Sequence, residues 1–372
     1  MPSLSAPHTL VARGVDGLLV GWLAVGVWVA VWLGERLGVD SSFLDLSVVY
    51  WAGAVCTAAH FGLSYHLAYR GGARSVRERP VALAYGPLAL IAVLCGTVAV
   101  SLAAGADSAR TVTSWLIAGV YLLTSWHYVK QVYGVGRVGA AFAKLKLDTW
   151  DVRTLRYGLY PLWFLGAAQM LVRNGDSYLA GYHIGFAIFP AAVRDALRML
   201  ALASALPLLA CFVRLARRSG RPVPSVMLAP YVAAFLWLGL PTNPVLTLLL
   251  LAPFHALQYL AIGHRAEMAV ADESEIGPLW WLNIFAGAAC GGLLLSRWAP
   301  QLLDARFAAH DGPRLFAAAF FVFLNVHHYL IDASIWRSKG ELVKAVVRGR
   351  TASGPAPEGT TAPAADALPV ST

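Results

Sequence analysis

Ten apolar stretches, each near the length that crosses a bilayer, dominate this chain of 372 residues. They lie at 14–34, 44–68, 81–105, 111–136, 154–173, 193–214, 224–241, 243–264, 278–297 and 313–337. A helix of about 20 apolar residues covers about 30 Å of hydrocarbon. The expectation is therefore an all-α, polytopic integral membrane protein, with about ten transmembrane helices in one bundle. Composition agrees, since 58% of residues are apolar and only 13% charged. A soluble domain carries about 25% charge, and half of that cannot cover a water-facing surface. A solvated globule, a nucleic-acid module and a disordered protein are excluded on this ground. The first stretch reads as a retained helix, because residues 1–14 hold a single basic residue and no small-residue cleavage site follows the long apolar run. Cys56, Cys95, Cys211 and Cys290 are far apart in apolar runs, which gives neither a zinc spacing nor a disulfide framework.

The net charge of +9 finds its explanation in the loops. With the N-terminus inside, 21 of the 29 basic residues fall in cytoplasmic segments, among them Arg70, Arg137, Arg214, Arg265 and Arg337. This bias orients the bundle with both termini cytoplasmic and suits the cell's inner (plasma) membrane. The acidic run Glu267, Asp272, Glu273 and Glu275 dissents, but acidic residues carry little weight in this rule. Residues 178–190 are too short to span and suit an interfacial or re-entrant piece. Residues 1–348 form the transmembrane domain. Residues 349–372, rich in Pro, Ala, Gly, Ser and Thr, read as a disordered cytoplasmic tail.

Ionisable residues inside spanning helices are costly and by default mark function. His8 and His310 lie outside the spans, and His183 sits in the short outer segment. The remaining seven are His60, His66, His127, His255, His264, His327 and His328, all in the cytoplasmic halves of the second, fourth, eighth and tenth stretches. Counting back from Arg70, Arg137, Arg265 and Arg337, taken as anchors at the inner headgroups, His60, His127, His255 and His327 are each ten residues away. At 1.5 Å per residue that places all four about 15 Å from the anchor. Four imidazoles at one depth point to a metal, and imidazole suits iron, copper, zinc and nickel. The competing explanation for any one of them is an interhelical hydrogen bond worth about 1 kcal/mol, which leaves the shared register unexplained.

Gln131, Gln258, Tyr259 and Asp332 stand three to five residues from these histidines, as partners for the second ring nitrogen of a ligand would. His328, turned about 100° from His327, and His66 are candidates for an additional ligand or a supporting contact. Interfacial contact with headgroups is the favoured expectation for His66 and His264. Lys130 is expected to snorkel to the inner surface.

The element His327-His328-Tyr329-Leu330-Ile331-Asp332 resembles the terminal His-x-x-Leu-Ile-Asp motif of bacterial membrane-bound β-carotene dioxygenase-like proteins. His60-Phe61-Gly62, His127 and Pro253-Phe254-His255 are similar to the earlier histidine motifs of that family, in the same order. The resemblance implies four histidines, His60, His127, His255 and His327, holding one Fe(II) that activates O2. No acidic residue follows His60 where the family has one, and Lys130 and Gln131 replace small and acidic residues. The resemblance thus implies a shared metal scaffold rather than a shared carotene substrate.

The leading expectation is an iron-dependent membrane oxygenase acting with O2 on an apolar lipid or isoprenoid, carotenoid-like in character, drawn from the bilayer. The mononuclear site is favoured over a binuclear iron desaturase or hydroxylase, which would enlist His66 and His328. A haem- or quinone-binding electron-transfer protein would need only paired histidines. A proton-relaying transporter would need midplane carboxylates, and apart from Asp332 the histidine-bearing stretches hold almost none.

Overall fold

The computed structural model describes residues 9–12, 14–38, 46–104, 106–175, 180–184, 189–240, 244–271, 279–307, 314–337 and 340–348. Every regular element among them is a helix. In chain order these are α1 (Val15–Arg36), α2 (Leu46–Tyr69), α3 (Ala73–Glu78), α4 (Gly86–Ala104), α5 (Ala106–Phe142), α6 (Thr149–Tyr157) and α7 (Tyr160–Gly175). They are followed by α8 (Ala191–Ser219), α9 (Ser225–Gly239), α10 (Pro244–Val270), α11 (Trp280–Leu293), α12 (Ala299–Phe307), α13 (Leu315–Ile335) and α14 (Glu341–Arg348). A wider π turn, Val81–Tyr85, leads into α4, and a second, Leu294–Trp298, joins α11 to α12. Each apolar stretch of the sequence thus carries a helix. Among the described residues Val15–Arg36, Ala191–Ser219 and Leu315–Ile335 are long and apolar enough to cross a membrane. Large apolar side chains such as Leu88, Met199, Leu206 and Leu302 stand exposed on the outer surface, as expected of a chain associated with a membrane. The tail 349–372, His8, His310, residues 178–179 and 185–188 of the short segment 178–190, and the acidic positions 272–275 lie outside the described residues.

Four helices form a closed ring: α2 packs on α10, α10 on α5, α5 on α13, and α13 on α2. Outside this ring α7 and α9 pack beside α5, α8 packs against α7, and α11 lies along α2. The α2–α11 crossing is close because both helices offer small residues one turn apart. Ala58 and Gly62 meet Ala288 and Gly292, and a Cβ on Gly62 would sit 2.0 Å from the Ala288 carbonyl oxygen. Only glycine tolerates that approach, the usual device where helices pack without a hydrophobic drive between them. On the far side of the ring, Ser125 donates to the Trp163 carbonyl at 2.7 Å and Trp163 Nε1 donates to the Leu122 carbonyl at 2.9 Å, which pins α5 to α7.

Of the four arginines expected as headgroup anchors, Arg137 and Arg337 are exposed, whereas Arg70 and Arg265 have protein partners. Arg265 is only 2% exposed; its Nε donates to the Val346 carbonyl of α14 at 3.2 Å, and its guanidinium lies over Phe142. Arg70 pairs at 2.6 Å with fully buried Glu267, and His66 reaches the other oxygen of that carboxylate at 3.2 Å. His264 donates to the Leu10 carbonyl at 3.1 Å and meets Trp281 edge-on. His264 is thus taken up by the N-terminal segment, while His66 contacts Glu267 and stays exposed. Lys130 is exposed, as expected, with its ammonium 4.4 Å from the centre of the Trp126 ring.

Candidate metal centre

Inside the ring of α2, α5, α10 and α13, His60, His127, His328 and Asp332 converge with one donor atom each, all within 4.8 Å of one another. His328 Nε2 and His127 Nε2 are 3.2 Å apart, and Asp332 Oδ2 lies 3.5 Å from the first and 3.7 Å from the second. Donors on one metal at bonds of about 2.0–2.2 Å stand about 3–3.6 Å apart for angles between 90° and tetrahedral. The His127, His328 and Asp332 atoms are close to that spacing and His60 stands somewhat wider, so the cluster is one that could hold a metal ion. His255 joins from the fourth helix, its ring centre 5.0 Å from that of His60 and 4.8 Å from that of His127. The Nε2 atoms of His60 and His255 are buried and have no hydrogen-bond partner among the described residues. Buried polar atoms are rarely left unpaired; two such imidazole nitrogens beside a third and a fourth are what a bound cation would satisfy.

A relay of hydrogen bonds sets the ring of His328. Ser64 Oγ donates to Asp332 Oδ1 at 2.9 Å, so its lone pair receives the Nδ1–H of His328 at 3.1 Å. With the proton on Nδ1, Nε2 is left bare as a donor to metal, the usual arrangement for a ligating histidine. Tyr259 donates a second hydrogen bond to Asp332 Oδ1 at 3.1 Å. Aromatic rings close the site on every side: Tyr259 stacks on His60 at 4.2 Å, Tyr329 on His127 at 4.6 Å, Tyr128 lies against His255 at 4.3 Å, and Phe61 meets His328 edge-on at 4.9 Å.

Of the histidines expected at one depth, His60, His127 and His255 come together, whereas His327 does not join them. Its Nε2–H donates to the Ala82 carbonyl at 3.1 Å, and its Nδ1 accepts from the Tyr65 hydroxyl at 2.8 Å. The π turn at Val81–Tyr85 aims that carbonyl, and the Leu83 carbonyl that holds Tyr69, at the neighbouring helices. Its place is taken by His328, 1.5 Å further along the axis and turned about 100° toward the ring's centre. Gln131 and Gln258, expected beside the imidazole rings, instead bind backbone. Gln131 donates to the His255 carbonyl at 2.8 Å and to the Gln258 side chain at 3.2 Å, while Gln258 donates to the Val20 carbonyl at 2.7 Å. They fix the height of α10 rather than the tautomer of a ligand. Just upstream, Pro253 packs on Gly53 of α2, where a Cβ would meet the proline ring at 2.7 Å, which brings His255 close to His60. His66 lies with Glu267, outside the cluster. Ser64 was not expected at the site; its position four residues after His60, on the same face of α2, is the signal that could have found it. No protein-family model, curated protein or solved structure matches this chain.

Proposed function

We propose that the protein is a multi-pass protein of the inner membrane, crossing with about ten helices, and acts as an iron-dependent oxygenase on an apolar lipid or isoprenoid. One Fe(II) is held by His60, His127, His328 and Asp332, with His255 as a fifth donor. The observation that carries this reading is the pair of orphaned Nε2 atoms, on His60 and His255, buried beside the other three donors. A set of imidazoles with one carboxylate suits iron that keeps open positions for O2. The bound ion would supply a Lewis-acidic place for O2; the chain supplies geometry, a fixed His328 tautomer and a wall of aromatic rings that keeps water out. A single centre accounts for all five donors, and the resemblance of the last motif to the β-carotene dioxygenase-like proteins supports the same class.

The test is metal analysis of protein purified in mild detergent, joined to lipid extraction from cells with and without it. About one iron per chain and a new oxidised lipid species are expected. His60→Ala, His127→Ala and His328→Ala abolish both, while His327→Ala keeps the iron. Full iron content in the first three variants, or a metal-free wild-type protein, would overturn the reading.

A further inference from the structure

A groove of about 380 Å³ runs along the outer side of α2, between α11 and α13. Its wall on α11 is built from Gly287 and Gly291, one turn apart, and a Cβ at either would meet nothing within 4 Å. Its floor is Phe61 together with Leu324, which stands one helical turn before His328 on α13. The ring of Phe61 touches that of His328 at 4.9 Å and lies parallel to that of His60 at 5.8 Å. A single phenyl ring therefore separates the groove from the metal cluster.

The groove has a direction. Because Gly62 meets Ala288 and Ala58 meets Gly292, α2 and α11 run antiparallel. His66 of α2 and Asn283 of α11 then share one end with Tyr65, and Leu295 closes the other. From Asn283 to Leu295 is about 18 Å at 1.5 Å per residue. A groove of this volume is too small for a helix about 10 Å across over that length, and its narrow, apolar lining suits a single hydrocarbon chain.

We propose that this groove binds the substrate, a single-chain lipid with a small hydrogen-bonding head at Asn283 and His66 and its tail toward Leu295. Phe61 is the gate between the chain and the metal. Phe61 lies five residues from His66 along α2, so the carbons presented to the cluster lie about 7.5 Å from the head. The assignment of the groove to substrate rests on the oxygenase reading; occupation of the groove by a lipid chain does not.

The experiment is photolabelling of the purified, metal-loaded protein in nanodiscs with a C16 fatty alcohol carrying a diazirine at mid-chain. Adducts are mapped by mass spectrometry. Labels are expected on Phe61, Ile284 and Leu324, competed by unlabelled fatty alcohol. Gly287→Leu and Gly291→Leu fill open space, so iron content and melting stay as in wild type while labelling of these residues falls at least tenfold. Phe61→Ala keeps the labels and moves some onto residues of the cluster. Labels scattered over the outer surface without competition, or undiminished in the glycine variants, would overturn the proposal, as would a second copy of the chain cross-linked across the groove. Iron retained with an unlabelled groove refutes this inference alone. A labelled groove in a metal-free wild-type protein refutes the oxygenase reading and leaves the lipid site standing.

Discussion

Replacing Ser64 by alanine tests the metal centre without touching a donor atom. In the bound state His328 Nε2 faces the ion, so Nδ1 must carry the proton, and its acceptor is Ser64 Oγ at 3.1 Å. Ser64→Ala leaves that N–H buried and unpaired, at a cost of about 1–3 kcal/mol. Without metal the ring is free to place its proton on the other nitrogen, so the penalty falls mainly on the bound state. Metal binding should therefore weaken by about 5- to 150-fold, in the range found when an outer partner of a ligand is removed. Asp332 also loses one of the two hydrogen bonds at its Oδ1, which acts in the same direction. The assay is competition with a chelator of known affinity in detergent at pH 7, with bound iron measured after equilibration. The metal-free forms of wild type and variant should melt at nearly the same temperature. Unchanged iron affinity in Ser64→Ala, with His328→Ala losing the metal, would show that the relay through Ser64 does not set the ligand.

Two further outcomes follow from the packing and the loops. Gly62→Ala puts a methyl group 2.0 Å from the Ala288 carbonyl oxygen; overpacking of about 1–3 kcal/mol should lower the melting temperature and loosen iron two residues away at His60. At the loop between α5 and α6, Asp148 is held below its ordinary carboxylate value of 3.8, chiefly by the backbone N–H of Asp151, with Arg214 and Arg218 adding to it. A carboxylate lowered on folding contributes stability that is present above its unfolded value and lost as pH falls through the folded one. Melting in detergent between pH 6 and 3 should therefore decline less steeply in Asp148→Ala than in wild type, and salt should shrink the difference because these groups face water.

The axial arrangement of the site was legible in the sequence, and its facing was not. Ten residues from histidine to arginine measure height along a helix, and the four helices do bring His60, His127 and His255 to one level. Height cannot separate His327 from His328, which differ by 1.5 Å along the axis and by 100° around it. The Tyr65 hydroxyl and the Ala82 carbonyl decide that choice, and they come from another helix and from a π turn that no periodicity announces. Gln131 and Gln258 were visible as polar residues in apolar helices, but whether an amide meets a ring or a carbonyl depends on the crossing of α5 and α10. The spacing of Ala58 with Gly62, and of Ala288 with Gly292, was present as a small-residue pattern one turn apart. It identifies two helices that can approach closely without saying that they approach each other. Two of the four arginines that served as the gauge, Arg70 and Arg265, turn out to meet Glu267 and α14, while Arg137 and Arg337 stay exposed.

The burial of Arg265 under α14 has a consequence for how the molecule is made. Its partner carbonyl, at Val346, belongs to the last described helix, and nearby His264 is held by Leu10 in a segment whose amides at Leu10, Val11 and Ala12 are gathered by Asp16. The two extremities of the described chain thus meet over the C-terminal end of α10, the helix that brings in His255. During synthesis α13, which brings His328 and Asp332, precedes α14 by only a few residues, so the cluster and the cover over α10 are completed by neighbouring stretches of the chain.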